Sequence, residues 1–138
     1  MKKPDADVRP EQSAAVVAVR FSSFARSVPE VLDAIGAAGA LARQRRILLK
    51  PNLVCATPPP VTTPVELCAA VIDYVRAVSA AEIVIAEGCG DARRETGELF
   101  STLGYADLAR RTAVALVDLN HAPLILKQNP QRPCFPEM

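Results

Sequence analysis

Apolar residues in this chain come in two rhythms. Short unbroken runs, such as Ala14-Ala15-Val16-Val17-Ala18-Val19, Ile47-Leu48-Leu49, Ile83-Val84-Ile85-Ala86 and Val114-Ala115-Leu116-Val117, alternate with longer stretches where apolar residues recur every three or four positions. The runs predict strands over 14–20, 47–50, 82–86 and 113–119, with a short fifth over 124–127. Their lack of polar alternation fits strands covered on both sides.

The longer stretches carry helix signals. Ser27, Pro29 and Glu30 precede Val31, Leu32, Ile35 and Leu41, so a helix is expected with serine as N-cap, proline in the first turn and an acid near the positive end. Gly36 and Gly39 weaken it by about 1 kcal/mol each relative to alanine, which makes it dependent on packing. Thr63-Pro64-Val65-Glu66 reads as a complete start, with Thr63 as N-cap, Pro64 in the first position and Glu66 closing a capping box. Behind it, Val65, Cys68, Ala69, Ile72, Val75 and Val78 form one apolar face ending near Ser79. Two further helices are expected over 95–103, stopped by Gly104, and over 105–111.

Strands alternating with helices make an α/β protein with a mostly parallel sheet of four to five strands and helices on both faces. Residues 1–12 read as a flexible leader, 13–127 as a single α/β domain and 128–138 as an irregular proline-rich tail. The 138 residues are half hydrophobic, yet only 4% are aromatic and there is no Trp. The core must therefore be aliphatic. With 16 Lys and Arg against 15 Asp and Glu the net charge is +1, which is no electrostatic footprint for nucleic acid. No run approaches the ~20 apolar residues that cross a bilayer, and no secretory signal core follows the charged start, so a cytoplasmic protein is expected. Cys55, Cys68, Cys89 and Cys134 are scattered without a Cys-x-x-Cys pair. That argues for reduced thiols and supplies no iron–sulfur motif.

Topology then locates the chemistry. In an open parallel sheet all strands end on one edge, and ligands bind in the crevice there. The predicted strands end in Lys50 and Asn52, in Glu87, and in Asp118 followed by Asn120 and His121. Pro51 stops the ladder. A cation, two carboxylates and amides along one rim suit a small anionic ligand or a divalent metal bound through oxygen. Lys50, with the helix start at Thr63, would hold the anion, and Glu87 would act as base or metal ligand, so these two are the candidate catalytic residues. Asn52, Thr62, Thr63, Gly88, Gly90 and Asp118 are the candidate ligand-binding residues. Each has a plainer role available: Asn52 and Asp118 in turns, Thr62 and Thr63 in capping, and His121 as a surface loop residue. Gly88 and Gly90 permit close backbone approach, but position 93 is Arg, so the dinucleotide fingerprint is absent. The metal and any cofactor stay unspecified.

The ordered segments "ILLKPNLV", "TTPVELCAAVIDYVRA", "EIVIAEGCG", "TGELFSTLGYADLA" and "VALVDLN" resemble the uncharacterised family known as domain of unknown function 362. The resemblance implies an α/β domain with recurring polar positions at Lys50, Asn52, Thr63, Glu87, Gly88 and Asp118, and it implies no reaction. Some members carry a ferredoxin-like module, so the second expectation is a non-catalytic accessory module or fragment partnering an iron–sulfur protein. Related chains continue well past the "VDLN" segment. A second chain or a second copy is therefore expected to complete the sheet, whose uncovered edge would tend to pair.

Overall fold

The computed structural model describes residues 14–91 and 93–126. The leader expected over 1–12 and the tail expected over 128–138 lie outside the described residues. Three strands, β1 (Arg46–Leu49), β2 (Glu82–Glu87) and β3 (Ala115–Asp118), form one sheet in the order β1-β2-β3. Both pairings are parallel, with Leu49 opposite Ile85 and Glu87 opposite Asp118. Five helices accompany them: α1 (Phe24–Ala34), α2 (Ala37–Leu41), α3 (Val65–Val78), α4 (Thr96–Thr102) and α5 (Tyr105–Thr112).

The described sheet thus has three strands rather than four or five. Residues 14–20 form no regular element and pair with no strand. Leu124, Ile125 and Leu126 carry exposed side chains in no ladder, and Lys127 lies outside the described residues. An extended segment becomes a strand only where a neighbour satisfies its backbone groups, and periodicity alone does not supply that neighbour.

The described helices cover one face, not both. Strand order advances in one direction, so two right-handed crossovers fall on the same side of the sheet. Ile47, Leu49, Ile83, Ile85 and Leu116 point into a core shared with Ile72, Val75, Leu99 and Leu108. Leu48, Val84, Ala86 and Val117 alternate to the other face and stand outside that core; Leu48 is 56% exposed, and Ala86 alone of the four is buried. A layer on that face would need the strand order to reverse.

Local chemistry also shifts two helix starts. α1 begins at Phe24, after Ser23, and Ser27 is buried inside it, its Oγ accepting a hydrogen bond from the Ser22 N–H at 3.1 Å. The helix stops at Ile35 because Gly36 takes φ 70°, and α2 follows. α3 begins at Val65 with Pro64 at the cap. Thr63 instead accepts the Asn52 N–H on its Oγ1 at 2.9 Å, so the capping box does not form. Glu66 stays in the first turn, where the helix dipole favours an acid. Tyr105, fully buried, donates to the Thr63 carbonyl at 2.9 Å and ties α5 to the start of α3. No described helix is long and apolar enough to cross a membrane.

Gly104 turns the chain between α4 and α5 at φ 82°, as expected of a glycine stop. The end of α5 uses Ala113 at φ 50° for the same purpose. An L-residue pays roughly 1–2 kcal/mol in that region. Ala113→Gly is accordingly expected to stabilise the fold by about 1 kcal/mol, read as a higher urea midpoint; a lower midpoint would show that α5 ends without strain.

Candidate functional site at the strand ends

At the carboxyl edge of the sheet the chain brings Lys50 and Glu87 together. Glu87 is the last residue of β2 and faces the helix side after Ile83 and Ile85, which buries its carboxylate to 6% exposure. Lys50 follows β1 directly, before the buried Pro51 turns the chain away, and its Nζ lies 2.5 Å from Glu87 Oε2. The ammonium end remains open to water, its side chain being 57% exposed. A carboxylate at that depth requires a counter-charge, and Lys50 provides it.

Beyond β2 a clamp of neutral groups sets the next loop. The ladder continues past Asp118, with the Leu119 N–H donating to the Glu87 carbonyl at 2.9 Å. Asn120 Nδ2 donates to the Cys89 carbonyl at 2.9 Å and reaches Thr96 Oγ1 at 3.5 Å. The fully buried Thr96 hydroxyl also accepts the Cys89 N–H at 3.1 Å. Gly88 is glycine because a Cβ there would sit 2.5 Å from Asn120 Oδ1. Its smallness therefore serves the protein's own packing. Gly90 is exposed, and a Cβ would meet only Val54 Cγ2 at 4.0 Å.

The clamp carries a polar trio. Asp118 Oδ1 accepts the Asn120 N–H at 2.9 Å, and Oδ2 lies 3.9 Å from His121 Nε2. Glu95, just before α4, places Oε2 3.0 Å from the same nitrogen. One ligand atom from each of Glu95, Asp118 and His121 falls within 4.8 Å of the others. The hydrogen bond to Glu95, and then the charge of Asp118, hold the His121 imidazole above its ordinary pKa.

The expected residues divide into two groups. Lys50, Glu87 and Asp118 lie along the rim, with Gly88 between them. Asn52, Thr62 and Thr63 instead fasten the loop between β1 and α3: Asn52 Nδ2 donates to the Val61 carbonyl at 3.0 Å and the buried Thr62 hydroxyl to the Thr57 carbonyl at 2.8 Å. Sequence reading missed Glu95 as a rim residue, since it reads only as the start of a helix. His121 left a faint signal, three positions beyond a strand-ending acid. The described thiols have separate roles. Cys68 is buried against Tyr105, and Cys89 Sγ contacts the Val54 carbonyl at 3.5 Å. A hydrogen bond from Thr57 lowers the Cys55 thiol pKa. Cys134 lies outside the described residues, and no described cysteine joins a group of three or more metal-ligating side chains.

Residues 47–138 match the family described as domain of unknown function (DUF362). The chain belongs to this family. No curated protein and no solved structure matches it. The span matched to DUF362 holds β2, β3 and nearly all of β1, and with them every rim residue named above.

Two consequences can be measured. Lys50→Met strands the buried Glu87 carboxylate and is expected to cost on the order of 1–3 kcal/mol, with Glu87→Gln in the same chain restoring most of the loss. Urea unfolding of the four proteins in the cycle tests this; a Lys50→Met chain as stable as wild type would show that water compensates the carboxylate. The His121 ring should titrate above the ordinary histidine value in the folded protein and drop toward it in Glu95→Gln, followed by NMR. Since the folded value is raised, the interaction is fully present below the unfolded pKa and is lost as pH climbs through the folded one. An unchanged titration in the variant would remove Glu95 as the cause.

Proposed function

We propose that this DUF362 domain binds a divalent cation at the carboxyl edge of its sheet through Glu95, Asp118 and His121, and that the cation, with Lys50 nearby, receives a small anionic ligand. The observation that carries this reading is the convergence of those three donors within 4.8 Å of one another. Charge favours a metal over a directly bound anion. Lys50 and Glu87 neutralise each other, while Glu95 and Asp118 add two negative charges beside an imidazole that ligates when neutral. Such a rim attracts a cation first. An anion bound without metal would have to draw Lys50 away from a buried carboxylate.

One imidazole and two carboxylates form a mixed nitrogen–oxygen set, which suits Mn²⁺, Zn²⁺ or Fe²⁺ better than Ca²⁺ or Mg²⁺. Three protein ligands leave coordination positions for a phosphate or carboxylate oxygen. Asp118 is held for the task by the Asn120 N–H, and Asn120 by Thr96, an outer shell that fixes the ligand's direction. In this reading Glu87 serves as the base and Lys50 as its counter-cation and anion contact. Gly88 and Gly90 keep the backbone low, and Asn52, Thr62 and Thr63 hold the loop that follows Lys50.

Calorimetric titration with Mn²⁺ and Zn²⁺ tests the proposal. One ion per chain is expected, bound about tenfold or more weakly in Glu95→Gln and Asp118→Asn, and more weakly as pH falls because protons compete for His121. Circular dichroism of the variants should match wild type. If wild type takes up neither ion, or the variants bind as well, the reading fails.

A further inference from the structure

α1 lies where the helix of a strand–helix–strand unit belongs, yet the sheet beneath it has no strand. It packs beside α3 and runs the same way: its first turn, with Phe24 and Ala25, lies near Val65 and Glu66 at the start of α3. Farther along, Asp33 Oδ1 accepts the Tyr74 hydroxyl at 2.6 Å. Its chief neighbours are α3 and α2, whereas β1 packs chiefly on β2. Under the overhang runs an apolar groove of about 360 Å³, lined by Phe24, Val28, Val31, Leu32, Leu67 and Val71. Leu67 and Val71 also line a neighbouring hollow that reaches Leu48 and Leu49 of β1, and Leu48 is exposed.

A right-handed crossover entering β1 through α1 must start from a parallel strand next to β1, on the side away from β2. We infer that Ala14–Arg20 of this same chain docks there as a fourth parallel strand, closing the groove. Three observations select this segment. Only Phe21, Ser22 and Ser23 separate it from α1, a normal length for a strand-to-helix turn. From Val16 onward its exposure has strand period: Val17 and Val19 are half-buried while Val16, Ala18 and Arg20 face solvent, and the leading Ala14 and Ala15 are exposed. Val19 and Phe21 also reach the groove's lining. The other uncovered apolar segment, Leu124–Leu126, follows β3 at the far edge and is exposed on every residue. Docking would pair the outward N–H and C=O groups of β1, which otherwise form a template for aggregation.

Amide hydrogen exchange on the whole chain tests the inference. Amides of 15–20 and the outward amides of β1 should exchange at least about a hundredfold more slowly than in an unstructured peptide. Val17→Pro should release both sets together while Ile83–Ile85 in β2 stay protected, and Val16→Thr, on the outward side, should release neither. Free exchange of 15–20 in wild type would overturn the proposal, as would Val17→Pro leaving β1 protected. A dimer by light scattering whose 15–20 protection vanishes on dilution would overturn the same-chain placement, showing that the segment is exchanged between copies.

Discussion

Parallel alignment of three neighbouring strands governs everything at the rim. Because Leu49 lies opposite Ile85 and Glu87 opposite Asp118, residues distant in the chain end at one level. Hydrogen bonds of the ladder hold that level, and the aliphatic layer beneath, from Ile83 and Ile85 to Leu99 and Leu108, prevents the strands from sliding. A shift of one residue would send Glu87 to the opposite face and leave Lys50 without its partner. The ion pair is thus a consequence of register. It also reports on it, since a carboxylate so deeply covered tolerates no other position.

Next to that pair the protein relies on neutral hydrogen bonds. Thr96, Asn120 and the Cys89 backbone interlock around Gly88, and none of the described buried side-chain nitrogen or oxygen atoms lacks a partner. Rigid neutral support thus stands beside exposed charge. The supporting groups are fixed by these bonds, while Glu95 and His121 are exposed.

Much of this was legible beforehand, for identifiable reasons. The runs around Ile47, Ile83 and Leu116 are apolar and too short for helices, which marks them as strands, and strand–helix alternation makes them parallel. Hence Lys50, Glu87 and Asp118 could be assigned to one edge without coordinates. Other signals were ambiguous because one residue type serves several ends. Ser27 and Thr63 look like caps, yet each hydroxyl meets a backbone N–H of a preceding residue. Gly88 looks like a ligand-approach glycine, yet Asn120 fills the space beside it.

Local composition by itself determined the three strands β1, β2 and β3, the helical stretches, the glycine turn at Gly104 and the polar strand endings, because those depend on periodicity, propensity and backbone freedom within a few residues. Only the tertiary structure decided that the helices share one face, that Lys50 meets Glu87, and that Glu95 joins Asp118 and His121. These are contacts between residues far apart in the chain, fixed by crossover handedness and register, and no short window of sequence encodes either.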